Sequence, residues 1–182
     1  MSARFLDVAF TPSVRAAQLA NGGRDRGLSG FVPSPDRFTA SEAQFITGRD
    51  SFYMASVSET GWPYVQHRGG PAGFLRVLDD RSLAFADYRG NRQYVSLGNL
   101  MANPRVALFL MDYPNRRRLK IYGHAEAVDL AADPDLAEAV ATPGYQGLPE
   151  RAMRVRLEAF DWNCPQHITP RFSPADITNQ GA

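Results

Sequence analysis

Several features that mark common classes of protein are scarce in this sequence of 182 residues. There is a single cysteine, Cys164, which excludes an intramolecular disulfide and is typical of a reducing compartment. No apolar run reaches the roughly 18 residues that a membrane helix needs, and residues 1–28 lack the apolar core of a signal peptide. We therefore expect a cytoplasmic protein without a membrane partner.

An excess of charge of one sign is also missing. The chain carries 20 basic and 19 acidic residues, a formal net charge of +1, whereas nucleic-acid-binding domains are usually strongly basic. The basic residues are concentrated between Arg89 and Lys120, and Lys120 is the only lysine. Either this arginine bias reflects genome composition, or arginines bind a phosphate through their planar fork. We expect no nucleic-acid partner.

Metal ligands are too few for a structural site. Cys164 and His167 form a Cys-x-x-His pair, but there is no second cysteine and the chain has only 3 histidines. We therefore predict no metal. The length suits one sizeable core, so we expect a single domain over residues 39–182 with residues 1–38 as an N-terminal arm packed on it.

Most of the chain from residue 51 onward shows the alternation typical of β-strands. In residues 116–128, for example, Leu119 and Ile121 share one face while Arg118 and Lys120 share the other. Residues 105–111 are apolar at both parities, which predicts a strand buried on two faces. The predicted strands span residues 51–57, 63–68, 74–78, 82–86, 105–111, 116–128 and 153–160.

Helix signals are few and short. Thr39 and Glu42 have the spacing of a capping box, for a helix that ends near Gly48. Residues 12–21 and 133–141 read as two more short helices. Antiparallel strands joined by hairpins, with peripheral helices, predict a mainly β protein whose sheet forms a closed or nearly closed barrel.

One stretch, residues 85–104, combines a strand, a polar turn and a short helix that ends at Asn103 and Pro104. A strand that leads through a Gly-bearing turn into a helix gathers backbone N–H groups and side-chain donors at one place. The turn holds Arg89, Gly90, Asn91, Arg92 and Gln93. We therefore predict an anion site, most naturally for a phosphate.

The order of these motifs resembles the pyridoxamine 5′-phosphate oxidase-like, FMN-binding split-barrel flavoproteins over residues 45–128. The resemblance is carried by five segments: residues 61–68 (GWPYVQHR), 83–87 (LAFAD), 90–93 (GNRQ), 99–104 (NLMANP) and 117–123 (RRLKIYG). It implies an antiparallel split β-barrel that forms a homodimer, with FMN in a groove between the subunits.

The resemblance also assigns cofactor contacts. Along the first of these strands, Gln66, His67, Arg68 and Gly69 are expected to pass the flavin ring. Ala86 and Asp87 are expected to face the ring and ribityl chain, and Asn91, Arg92 and Gln93 to hold the phosphate. Arg118 occupies the place of a flavin-contacting glutamine, and Trp162 matches a late tryptophan that reaches across the dimer.

The chain departs from the B6 oxidases at several of these positions. Those enzymes carry an arginine at the position of Gln66 and a lysine at that of Gln93, so phosphate binding is expected to shift to Arg68, Arg89 or Arg118. Their Tyr, Arg and Ser at four-residue intervals, which hold the phosphorylated substrate, are missing between Asp133 and Met153, and their C-terminal arginine and histidine motif is missing too. The departures leave the substrate open.

Three functions follow. The first is an FMN-dependent oxidoreductase that passes a hydride between flavin N5 and a small molecule, with His67 as the candidate acid or base. The second is a flavin-binding carrier or sensor without turnover. The third is a barrel that binds RNA or single-stranded DNA through Tyr88, Tyr94 and Tyr122, which the balanced charge disfavours.

Overall fold

A computed structural model describes residues 1–23, 33–174 and 176–177. Within these residues seven strands form one antiparallel sheet, in the order β2-β1-β5-β6-β7-β4-β3. The strands are β1 (Ser51–Val57), β2 (Pro63–Gly69), β3 (Arg76–Asp79), β4 (Ser82–Tyr88), β5 (Arg105–Asp112), β6 (Arg117–Val128) and β7 (Pro149–Trp162). The edge strands β2 and β3 do not pair with each other, so the curled sheet is a split barrel, as the sequence predicted.

The core lies inside the curl of the sheet, on the face that the alternation predicted. Leu119 and Ile121 of β6 have no exposed surface, and Val155 and Leu157 of β7 are buried beside them. The same cluster includes Phe52 and Met54 of β1, Leu108 and Leu110 of β5, and Leu83 and Phe85 of β4.

The prediction that β5 is buried on both faces was wrong for a single chain. Burial along β5 alternates, with Val106 buried and Ala107 and Phe109 only partly covered. The side chains next to them on β1 and β2 are more open still, since Tyr53 is 41% and Val65 is 61% exposed. Together these residues form an outer apolar face, which consists of Tyr53, Ala55, Val65, Ala107, Phe109 and Tyr122.

In the described part of the chain five short helices surround the sheet: α1 (Ala3–Ala9), α2 (Pro12–Ala20), α3 (Ala40–Thr47), α4 (Val95–Ala102) and α5 (Pro134–Val140). The sequence did not predict α1, whose Phe5 is buried against Tyr122 with ring centroids 5.4 Å apart. None of the described helices is long and apolar enough to cross a membrane. Residues 22–38 contain four glycines and two prolines, a composition that predicts an irregular crossing, and they lie in part outside the described residues.

The predicted capping box of α3 is confirmed, and it is tied to the last strand. Glu42 accepts a hydrogen bond from the Thr39 backbone N–H at 3.0 Å and another from the indole Nε1 of Trp162 at 2.8 Å. Burial opposes ionisation of Glu42, but the hydrogen bonds from Thr39 and Trp162 outweigh it and hold the pKa of Glu42 below its ordinary value.

Glu42→Gln should therefore destabilise the protein by about 1 kcal/mol at neutral pH. A carboxyl group whose pKa is lower in the folded state stabilises the fold at pH values above its unfolded-state pKa of 4.5. This stabilisation is lost as the pH falls through the folded-state pKa. Urea unfolding at neutral pH and at about pH 3 should show the difference between variant and wild type shrinking in acid. Glu138→Gln, in the exposed face of α5, is the matched control and should differ little at either pH.

Candidate functional site

A groove of about 300 Å³ runs between edge strand β2 on one side and β4, the following turn and the start of α4 on the other. Nine of the eleven residues that the resemblance assigned to the cofactor line this groove: Gln66, His67, Arg68, Gly69, Ala86, Asp87, Asn91, Arg92 and Gln93. The structure thus brings together two segments that lie about 20 residues apart in the chain.

The wall of the groove contains an ion-pair bridge across the split in the barrel. Asp87, only 7% exposed, accepts from Nη1 of Arg68 at 2.6 Å and from Nη1 of Arg151 at 2.8 Å. Arg68 belongs to β2 at one edge of the sheet, whereas Asp87 and Arg151 are cross-strand partners on β4 and β7. This Asp87 bridge, which consists of Arg68, Asp87 and Arg151, joins β2 to β4 and β7, which are not hydrogen-bonded neighbours of β2 in the sheet.

Arg151 was not among the residues predicted from the sequence. It stands in an alternating strand that also carries Arg154 and Arg156, and only the β4–β7 register places it opposite Asp87. Burial opposes its charged form, yet the hydrogen bond to Asp87 and the charges of Asp87 and Glu150 outweigh burial and raise the pKa of Arg151. Arg151 therefore stays a cation beside the groove.

Arg89, expected as one of three substitutes for the missing phosphate ligands, is paired elsewhere. Its Nε lies 3.1 Å from Oε1 of Glu150, which also accepts from the Tyr94 hydroxyl at 3.2 Å. Burial opposes the ionised form of Glu150, but these hydrogen bonds outweigh it and lower the pKa of Glu150. Because Arg89 does not line the groove, Arg92 and Arg68 are the arginines that face it.

The start of α4 has a backbone geometry whose free N–H groups suit an anion. Arg92 and Tyr94 both have left-handed backbone conformations, with φ of 60° and 52°, and Tyr94 caps α4 without a side-chain hydrogen bond. The first-turn N–H groups of α4 therefore lack a capping side chain and carry the positive end of the helix dipole. Ser96, 3% exposed, lines the groove beside them, and its Oγ has no hydrogen-bond partner within the described residues.

Successive side chains of β2 point to opposite faces of the sheet, so the candidate site residues on this strand fall into two groups. Gln66 and Arg68 are half-buried and share a face with Tyr64, whereas His67 points the other way and meets the ring of Tyr53 edge-on at 5.6 Å. His67 therefore lies at the rim of the groove, where the groove meets the outer apolar face. Its role as an acid or base stays a prediction.

Arg118 and Trp162 do not line the groove of the single chain. Trp162 packs edge-on against Phe45 with centroids 4.7 Å apart, and the guanidinium of Arg117 covers its ring at 4.6 Å. Nε of Arg118 is buried and has no hydrogen-bond partner among the residues that the structure describes. Their predicted contacts with a flavin stay predictions and would need a second copy of the chain.

The split barrel and its groove define the class of the protein, and comparison with known families agrees. A family model described as pyridoxamine 5′-phosphate oxidase matches residues 38–159, which is more than half of the chain. The protein therefore belongs to the pyridoxamine 5′-phosphate oxidase family. A search of curated proteins found no match.

Solved structures share the fold at low sequence identity. HupZ from Group A Streptococcus is 15% identical with a TM-score of 0.53, over 74% of this chain and 100% of that one. A candidate pyridoxamine 5′-phosphate oxidase from Lactobacillus delbrueckii is 20% identical with a TM-score of 0.52, over 69% and 93% of the two chains. An FMN-binding protein from Syntrophomonas wolfei is 9% identical with a TM-score of 0.52, over 68% and 85%.

Asp87→Asn should destabilise the fold by on the order of 3 kcal/mol, because it leaves two arginines without their buried counter-charge. The control is Asp80→Asn, which removes an exposed pair with Arg37 at the same 2.6 Å distance and should cost less than about 1 kcal/mol. Equilibrium unfolding in urea measures both. Equal losses from the two variants would show that the Asp87 bridge is no stronger than a surface pair.

Proposed function

We propose that this protein binds FMN and acts as an FMN-dependent oxidoreductase on a small molecule. The observation that carries the proposal is the groove itself, in which an uncapped helix start and an arginine-bearing turn face the edge strand of a split barrel. Membership of the pyridoxamine 5′-phosphate oxidase family and the shared fold of an FMN-binding protein support the same cofactor.

The turn and the start of α4 suit the phosphate of FMN. The uncapped N–H groups of α4 and the hydroxyl of Ser96 supply donors, and Arg92 supplies a cation that forms no ion pair within the described residues. A phosphate would satisfy both the helix dipole and the orphaned Ser96 Oγ. This assignment favours FMN, which ends in a monophosphate.

The edge strand suits the ring and ribityl chain. Among the described strands β2 pairs with β1 alone, which leaves one row of its backbone N–H and C=O groups for a planar ligand with polar edges. Gln66 and Arg68 project toward the groove from this strand, and Ala86 on the far wall is small enough to leave room beside it.

A second copy of the chain is the proposed cover of the outer apolar face. Tyr53, Val65 and Phe109 contribute to an apolar surface that the described residues leave partly exposed and that adjoins the rim of the groove at His67. Exposed apolar surface of this kind next to a site is typical of a homodimer interface, and a symmetric partner would add a wall to each groove.

The bound flavin would supply the hydride chemistry at N5, and the chain would supply position and polarity. The groove would hold a substrate against the ring and exclude water from it, with His67 at the rim as the candidate proton donor or acceptor. The alternative is a flavin carrier without turnover. Aerobic mixing with excess NADPH or pyridoxine phosphate separates the two, because an enzyme that uses either donor consumes many equivalents per bound flavin, whereas a carrier does not.

Arg92→Ala should weaken FMN binding about tenfold to a hundredfold, because a charge-assisted hydrogen bond contributes about 1.5–3 kcal/mol. Quenching of flavin fluorescence on titration measures this loss. Arg116→Ala is the matched control, since Arg116 also has a left-handed conformation in a turn, with φ of 51°, but does not line the groove. Unchanged affinity in Arg92→Ala would overturn the phosphate assignment.

Val65→Arg should convert a dimer into a monomer, because it places a charge in the outer apolar face. Light scattering gives the mass in solution, and loss of FMN affinity together with the dimer would support a groove shared between subunits. Val14→Arg, on the exposed side of α2, introduces the same charge elsewhere and should leave the mass unchanged. A wild-type protein that is monomeric and still binds FMN would contradict the shared groove.

A further inference from the structure

Four hydrogen-bond-donating side chains form a row across the outer face of the sheet, and none of them lines the groove. Arg105 of β5 lies opposite His124 of β6, which in turn lies opposite Arg156 of β7. Arg156 also lies opposite Ser82 of β4. Directly opposite residues of antiparallel strands share one face, with Cβ atoms about 4.5–5.5 Å apart. The register thus creates a donor row, which consists of Arg105, His124, Arg156 and Ser82.

The two arginines of the donor row carry charges that no described carboxylate balances. Arg105 and Arg156 are both exposed and form no ion pair within the described residues. They flank His124 at a separation of two strand spacings, roughly 10 Å. Two cations at this separation repel each other, and an anion bound between them would offset the repulsion.

The carboxylates beside the donor row are paired with other arginines. Nε of Arg4 donates to Glu158 at 2.6 Å, and Nε of Arg154 donates to Glu126 at 2.7 Å. Nδ1 of His124 lies 3.9 Å from Glu158, which is too far for a hydrogen bond. Within the described part of the chain the imidazole is therefore available to a ligand.

Two clefts meet at His124, so the donor row is not a flat surface. A cleft of about 480 Å³ is lined by Ser82, His124 and Arg156. A second cleft, of about 400 Å³, is lined by Arg105 and His124, and α1 contributes to its wall. A small ligand above His124 can therefore contact both arginines from within a concave surface.

A β-bulge fixes the backbone beside this position. The register of β6 and β7 shifts between Tyr122 and Gly123, next to His124. A Cβ atom on Gly123 would lie 2.6 Å from the backbone carbonyl oxygen of Arg156, so the close approach of the two strands requires glycine. Bulges turn neighbouring side chains to new directions, and many lie next to binding sites.

We propose that the donor row binds a phosphate dianion, either free phosphate or the phosphate group of a small monoester, at a site separate from the groove. Guanidinium groups bind phosphate oxygens bidentately, and the imidazole and the hydroxyl add single donors. A dianion balances the charges of Arg105 and Arg156, whereas a monocarboxylate balances only one. Because the site shares no residue with the groove, the inference does not rest on the proposed function.

NMR spectra of the imidazole groups locate the binding. The histidines are His67, His124 and His167, and the signals of His124 are assigned by their loss in His124→Gln. Titration with potassium phosphate at about pH 8, against potassium chloride at matched ionic strength, should shift the His124 signals saturably with or without FMN. A shift confined to His67 would place the phosphate in the groove and overturn the second site, and so would the absence of any shift.

Arg105→Gln and Arg156→Gln should each weaken phosphate binding about tenfold or more, through loss of a charge-assisted hydrogen bond. Arg116→Gln, an exposed arginine outside both clefts, is the matched control and should bind phosphate as the wild type does. In phosphate-free buffer the two row variants should unfold at the wild-type urea concentration or above it, because repulsion is relieved. Unchanged affinity in both, or a clear loss of stability in both without phosphate, overturns the proposal.

Glycerol 3-phosphate distinguishes the two sources of phosphate. Binding as tight as that of inorganic phosphate, or tighter, identifies a monoester as the ligand, whereas weaker binding identifies free phosphate. Acetate, a monoanion, should shift the His124 signals only at concentrations at least about tenfold higher. Equal responses to acetate and phosphate would show a general anion surface and overturn the dianion site.

Discussion

The structure depends on one buried carboxylate. The sheet curls without closing, so nothing in its hydrogen-bond ladder fixes β2 relative to β4 across the split. Asp87 supplies that link by holding Arg68 from one side and Arg151 from the other. Because an unpaired buried charge is costly, the contact of these three groups favours one separation of β2 and β4 along the groove. The same link that completes the fold therefore also shapes the site.

The two halves of the groove contribute different chemistry. The turn after β4 and the start of α4 provide a cation, uncapped backbone N–H groups and a buried hydroxyl without a partner, a set that suits a phosphate. The β2 wall provides free backbone groups and the coupled side chains of Tyr64 and Gln66. The outer apolar face adjoins this wall at His67, so dimer formation and ligand binding would be connected through the same edge strand.

Much of this was predictable because the relevant signals are local. Period-two alternation identified the buried faces of β6 and β7, and the Thr39–Glu42 spacing identified the capping box of α3. The motif order identified the family and nine residues that do line the groove. The prediction that β5 is buried on both faces was wrong. Apolar residues at both odd and even positions do not show whether the second face is covered by the same chain. The helix α1 was missed because its stability comes from packing Phe5 on Tyr122.

By itself, the sequence determined the strands, their inward faces, the family and the position of the polar turn that lines the groove, since each of these follows from periodicity or from short motifs. Only the tertiary structure decided which charges pair. In the folded chain Arg89 pairs with Glu150 and Arg151 pairs with Asp87. Tyr64 and Gln66 are likewise joined by a hydrogen bond. Pairing depends on register and on the curl of the sheet, which bring residues tens of positions apart within hydrogen-bonding distance, and no local pattern along the chain encodes that geometry.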